Sequence, residues 1–384
     1  MPDVGFSSEQ QALRARAREV RERAVLPFLA ARGFDRPLSR EEVRALFKLT
    51  LPLGYPGTVV PRADGGAGLD HVALGLTIEE LAPAVGFLGP HVATRQIAFL
   101  GTPAHKRRYL EGMLAAELIG CVAITEPDVG SDAGSVRMTA ERRGTRYVLN
   151  GTKAWLAFGS VADLATVLVA TDPAKGPRGL SRLIVDLDYS RLEVRPVGTL
   201  GDRLVPFVAL TFRDYEVPVD NLLGREGEGL RLTLGPIQAS RASMATHAVA
   251  LAQAAIDSAV AYVKERHQFA RPIGSFQLVQ GMLANMIAET EAARLLAYRV
   301  WSMIDRGEDC AREASIAKLY ATESAVRVTS QAIQLHGANG ISDRYPVERY
   351  FRDARMLTFP DGTSEVHQLL IGRGATGLDA FRGT

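Results

Sequence analysis

Two changes of hydrophobic period divide this chain into three blocks, and that division constrains the fold more than any single motif does. Up to about residue 117 apolar residues recur at helical spacing, as Leu13, Ala17, Val20 and Ala24 do behind the capping-box pair Ser7 and Gln10. Ile78 to Ala82 and Ala104 to Leu114 extend that reading, after a loop at Gly65-Gly66-Ala67-Gly68. From Leu118 short β-rich runs take over: Ile119 to Ile124, Arg146 to Leu149, Leu164 to Ala170, Leu183 to Leu187 and Phe207 to Phe212. Asn150-Gly151 predicts a tight hairpin turn, because both residues tolerate the positive φ that such a turn requires. Beyond Gly224-Arg225-Glu226-Gly227 the helical period returns. Three long amphipathic segments carry Val249 to Val263, Met286 to Ile304 and Ile316 to Ile333, and a shorter last helix is expected from near Thr363 with Val366, Leu369, Leu370 and Ile371.

The expected fold is therefore α+β: a helical domain over 1–117, a β-barrel or sandwich domain over 118–226 and a four-helix bundle domain over 227–384. At 384 residues the chain exceeds the size at which one core usually stops growing. With 47% hydrophobic and 23% charged residues it can bury such cores and is neither disordered nor fibrous. Lys+Arg 45 against Asp+Glu 43 is too balanced to argue for a nucleic-acid or membrane partner. Cys121 and Cys310 are isolated, which excludes a disulfide scaffold and a thiolate metal site. No apolar run approaches the ~20 residues that span a bilayer. Met1 to Phe6 lack a basic segment leading into an apolar one, so a cytoplasmic protein is expected. The seven histidines show no metal-ligand spacing; they are expected at the surface or at caps, and no metal is expected. Neither a G-x-G-x-x-G after a strand, nor a Walker A sequence, nor a G-x-S-x-G elbow occurs.

The segment Ala123-Ile124-Thr125-Glu126-Pro127-Asp128-Val129-Gly130-Ser131-Asp132, with Leu149-Asn150-Gly151-Thr152-Lys153-Ala154-Trp155, resembles the signature of the acyl-CoA dehydrogenase flavoprotein family. Val217-Pro218 to Gly224, Glu265 to Phe269 with Gln277, Gln334 to Gly340 and Arg352 to Ser364 match further family motifs in the family's order. The glutaryl-CoA branch looks closest over Ala338 to Asp343 and His367 to Arg373. The resemblance implies FAD. Its isoalloxazine would lie against Trp155, with Val122, Ile124, Thr125, Gly130, Ser131, Leu156 and Ala157 around its polar edge. Arg266, Gln268, Phe269, Gln277, Gln334, Gly337, Ala338, Thr363 and Glu365 would hold the rest of the cofactor, partly across a subunit boundary, which implies a homo-oligomer, a tetramer rather than a dimer.

An acyl thioester, most simply an acyl-CoA, is the implied substrate, and electron-transfer flavoprotein the implied electron acceptor. Ser131, Gln238, Arg241, Gly362, Thr94 and Arg95 are the implied substrate contacts. An arginine at position 95 is more often a surface residue, because charged side chains are rarely buried unpaired. The family's catalytic Glu is here Asp361. It is one methylene shorter, and ~1 Å of misplacement can cost about 100-fold. Ala157 stands where the family commonly has a Thr, Gln238 where it often has Asp, and Ser240 where some members place the base. These departures leave a relative with divergent flavin chemistry open, acting on carrier-protein-bound acyl groups or nitroalkanes. A non-catalytic flavin-bound binding protein fits less well with the balanced charge. If Asp361 is not the base, its simplest other use is as the cap of the last helix.

Overall fold

The structure is a computed structural model that describes residues 5–381, so the reading of Met1 to Val4 lies outside the described residues. Ser7 starts the first helix, Ser8–Val20, as its sequence predicts: the Ser7 hydroxyl accepts from the Gln10 N–H at 3.2 Å and the Gln10 side chain accepts from the Ser7 N–H at 3.0 Å. Helix His71–Val85 is buried along almost its whole length, including two carboxylates, Glu79 and Glu80. Buried charges need partners. Arg14 meets both carboxylates, Arg18 and Arg21 reach Glu80, and Arg294 and Tyr298 reach Glu79 from the third block, so the N-terminal helices are tied to the bundle by charge as well as packing.

The β block is one sheet. Its strands are β1 Gly120–Ala123, β2 Thr139–Arg143, β3 Arg146–Ala157, β4 Leu164–Ala170, β5 Leu180–Asp186, β6 Glu193–Pro196, β7 Phe207–Pro218 and β8 Leu222–Leu223. The order is β6-β7-β3-β2-β4-β5-β8, with β1 parallel beside β4. The hairpin expected at Asn150-Gly151 is not there. Gly144-Thr145 makes the turn, pairing Arg143 with Arg146, while β3 runs straight through Asn150. Buried Val148, Leu149, Ala154 and Leu156 on both sides of that dipeptide keep the strand going. Gly151 serves a bulge instead: the register against β7 shifts between Leu149 and Gly151, at φ 142, and a Cβ would come within 2.8 Å of Met138.

Three long helices, Ile237–Glu265, Gln277–Asp305 and Ala311–His336, make the bundle with the shorter Val347–Met356 and Ser364–Thr376. The first and third run parallel: Arg241 bonds Ser315 near their starts, and Ser258 bonds His336 near their ends. Five histidines correct the surface expectation. His91, His105, His247, His336 and His367 are buried, and for the first four a backbone carbonyl (of Leu88, Asp220, Ser243 and Ala332) offsets the loss of water.

Candidate active site

Asp361 lies in the turn between the last two helices. Its φ is 57° and that of Gly362 is 109°, so two consecutive residues are left-handed, a strained arrangement for a non-glycine residue. Two buried cations hold the turn by its carbonyl oxygens. Arg241 on the first long helix donates from Nε to the Asp361 carbonyl at 3.2 Å and from Nη1 to Ser315 Oγ at 3.1 Å. Lys318 on the third donates from Nζ to the carbonyls of Thr358 at 2.8 Å and Gly362 at 2.7 Å. Burial raises the Asp361 carboxyl above its ordinary value, against the pull of Lys318 and Arg241, and pushes the Lys318 ammonium down to about 8. His367 is fully buried against Gly362 with neither ring nitrogen in a well-formed hydrogen bond, and burial pushes it down to about 3, so it is neutral. Thr363, not Asp361, caps the last helix, its hydroxyl accepting from the Val366 N–H at 3.3 Å. The Asp361 carboxylate is thus left for other work.

A second arrangement surrounds Trp155. This indole is 57% exposed at φ 59°, beside a second bulge of β3 between Lys153 and Leu156. The neighbouring segment is pinned from beneath. Buried Lys153 donates to the Ile124 carbonyl at 2.8 Å and to Glu126 at 2.9 Å, Glu126 accepts from the N–H groups of Arg137 and Met138, and the Ala154 N–H reaches the Thr125 carbonyl at 2.9 Å. Val122, Ile124, Thr125 and Ala157 are half-buried, Gly130 and Ser131 exposed, and the hydroxyls of Thr125 and Ser131 make no hydrogen bond among the described residues. Leu156 points into the core, leaving only its backbone for a ligand. An exposed indole plane beside unspent hydroxyls and backbone edges fits a planar ring with polar margins, as an isoalloxazine is.

The remaining cofactor candidates lie elsewhere. His267–Gln268 pairs with Arg271–Pro272 around Phe269, which is 89% exposed at φ 49°. Tyr262, one turn before Arg266, stacks on His336 at 4.4 Å and accepts from Asn339, which brings Arg266 and Gln268 to the same bundle end as Gln334, Gly337 and Ala338. Gln277 opens the second long helix after that hairpin. The side chains of Arg266, Gln268, Gln277 and Gln334 are exposed and make no hydrogen bond or ion pair among the described residues. Lys318 and Gln334 are 16 residues apart on one helix, about 24 Å, so one chain does not gather this set around Asp361.

Gln238 is half-buried one turn before Arg241, Thr94 is buried, and Glu365 is exposed in the first turn of the last helix. Arg95 departs from the surface expectation: its Nε is shielded without a hydrogen-bond partner, and burial pushes the guanidinium down to about 10, because Ala93, Ile97 and Ala98 hold its helix in the core. Sequence reasoning missed Ser315, Lys318 and the burial of His367. A signal existed for the lysine: Ser315, Lys318 and Thr322 follow one helical stripe that is otherwise alanine, through Ala314, Ala317, Ala321 and Ala325. Among the described residues no group of three or more His, Cys, Asp or Glu is placed to hold a metal ion, and no helix is long and apolar enough to cross a membrane.

Comparison with known proteins agrees with this layout. The models of the acyl-CoA dehydrogenase N-terminal, middle and C-terminal domains match residues 7–117, 121–215 and 227–376. An acyl-CoA dehydrogenase of Bacillus subtilis is 37% identical over 330 residues, covering 83% of this chain and 86% of that protein. The glutaryl-CoA dehydrogenase of Desulfococcus multivorans is 33% identical, with 98% of each chain covered. The structure of butyryl-CoA dehydrogenase from Megasphaera elsdenii superposes with a TM-score of 0.90 at 30% identity, covering 96% of this chain and 98% of that one.

Proposed function

This chain belongs to the acyl-CoA dehydrogenase family, and on that premise we propose that it oxidises an acyl thioester, most simply an acyl-CoA, at Cα and Cβ, with Asp361 as the base and FAD as the oxidant. The observation that carries this reading is the Asp361 turn: a half-buried carboxylate between two buried cations, raised toward the proton affinity a base needs, and not spent on a helix cap.

In this reading Asp361 takes the α-proton onto its carboxylate. Its backbone N–H, which meets no acceptor among the described residues, polarises the thioester carbonyl together with the adjoining Gly362 backbone and so stabilises the charge that develops there. Bound FAD supplies the acceptor for the β-hydride. Trp155 would lie over one face of its ring and keep water from it, and Thr125 and Ser131 would hold its polar edge. Gln238, Arg241 and Ser131 orient the thioester arm, and Thr94 and Arg95 face the acyl end. Ser240 carries no carboxylate, which leaves the base role to Asp361. The Arg266 and Gln334 cluster serves the cofactor of a second copy, since about 24 Å separates it from the base end of its own chain. Electron-transfer flavoprotein would be the acceptor of the electrons.

Anaerobic incubation of the yellow protein with short, branched, aromatic and dicarboxylic acyl-CoAs tests the reading. Bleaching by one class, with the 2,3-unsaturated product recovered, is the expected result. A flavin that none of them reduces would end the coenzyme A reading.

A further inference from the structure

Lys318 is an expensive residue to have placed where it is. Burying an ammonium costs free energy unless charge or hydrogen bonds compensate, and Lys318 is fully buried on an alanine-rich stripe of the third long helix. Its hydrogen-bond partners are the carbonyls of Thr358 and Gly362, which bracket Asp361. The charged and titratable groups that face it are Asp361, Glu323, Arg241, Glu365 and His367. Glu323 is bonded to Ser364, Glu365 lies exposed at the start of the last helix, Arg241 repels, and His367 is neutral. That leaves Asp361 as the anion that the buried ammonium serves.

We infer that Lys318 is a positioning residue: it clamps the left-handed Asp361 turn from both sides and, through its charge, keeps the Asp361 carboxyl in the form that accepts a proton. The inference rests on the reading of Asp361 as the base. The two parts of the role are separable. Arg241 also holds the turn, by the Asp361 carbonyl, so the clamp has a second member on another helix. The charge is shared less evenly: Lys318 and then Arg241 pull the Asp361 carboxyl down, Lys318 the more strongly, while the Lys318 ammonium also holds the carbonyls of Thr358 and Gly362 before and after the carboxylate.

The test uses the flavin-loaded protein and four variants: K318M, which removes clamp and charge; K318Q, which removes the charge and keeps an amide donor; K318R, which keeps the charge; and D361N, which identifies the Asp361 signal. The Asp361 carboxyl is titrated by infrared difference spectroscopy, without any thioester. In parallel the rate of flavin reduction by butyryl-CoA is followed against pH. An opposite charge at close range typically lowers a carboxyl by about 1–3 pH units. K318Q and K318M are therefore expected to shift the infrared midpoint, and the acid limb of the reduction rate, upward by about that amount, with K318R retaining both even where its maximal rate falls. A lysine that is merely structural would lower flavin content or maximal rate and leave both midpoints in place, and an unshifted infrared midpoint in K318Q would overturn the inference. Should K318M fail to fold, K318Q and K318R decide it. If butyryl-CoA reduces no form of the protein while the infrared midpoint still moves, the substrate assignment falls and the role of Lys318 stands.

Discussion

The Asp361 turn and the Arg266 to Phe269 hairpin both carry a non-glycine residue in the left-handed region, Asp361 at 57° and Phe269 at 49°, but they are held in opposite ways. At the turn every strained residue has a partner from its own chain: two cations on two helices take three carbonyl oxygens. At the hairpin Phe269 stands 89% exposed, touching Phe276 at its edge, and the side chains of Arg266 and Gln268 make no hydrogen bond or ion pair among the described residues. Strain persists only where the surroundings over-determine it. The first region is therefore held from within one copy, and on the proposed function the second is the part that a cofactor and a second chain would complete.

The contrast predicts which changes act where. The largest effect on folding is expected from Lys153→Met, which strands buried Glu126 beneath the Trp155 edge. Removing one partner of a buried pair costs about 3–5 kcal/mol, measured as the shift in denaturant unfolding, and the flavin edge should loosen with it. Loss of well under 1 kcal/mol would show that this edge, like the hairpin, is not organised from within.

Next comes acid. His91, His247 and His367 are held near 3, 4 and 3 by burial, below the ordinary 6.5, so the folded state resists protons that the unfolded chain accepts. That stability is whole above pH 6.5 and is lost as pH falls from there to about 4 for His247 and about 3 for His91 and His367, by up to about 1.4 kcal/mol per pH unit for each histidine. Unfolding free energies compared at about pH 7 and about pH 5 check the slope. Asp361 has the opposite sign: its carboxyl is raised, so its contribution is present at low pH and lost as pH rises through the raised value. Asp361→Asn should accordingly stabilise the fold at neutral pH while it abolishes the base, the cost a functional site commonly carries.

The smallest of these effects lies at the hairpin. Arg266→Ala should weaken flavin retention by about 1.5–3 kcal/mol, the range for a lost charged hydrogen bond, and leave protomer stability unchanged. Co-assembly of Arg266→Glu chains with Trp155→Glu chains would recover sites that contain both native residues; no recovery of bound flavin would contradict completion by a second copy.

How much of this the sequence reveals follows from distance along the chain. The helix, sheet, helix division is legible because period is local, and the Ser7 cap and the helix start at Thr363 are legible for the same reason. Trp155 and Asp361 come from short contiguous motifs. The cluster that equips Asp361 does not, since Arg241, Ser315 and Lys318 reach it across 120, 46 and 43 residues and meet only when three helices pack. Asn150-Gly151 misleads because its local preference for a turn is overridden by buried neighbours that keep the strand running. Histidines mislead likewise: spacing excludes a ligand set but is silent on burial, for which His91, His247 and His336 use a carbonyl one turn away and His105 that of Asp220, 115 residues on.

The central claim, that Asp361 is the base, is tested most directly by single-turnover flavin reduction in wild type and Asp361→Asn with the acyl-CoA that bleaches the native protein. Removal of a general base costs about 10²–10⁴-fold, and the expected result is a loss of that size with flavin content and oligomeric state unchanged. Reduction by the asparagine variant within a few-fold of wild type would contradict it and place the base elsewhere.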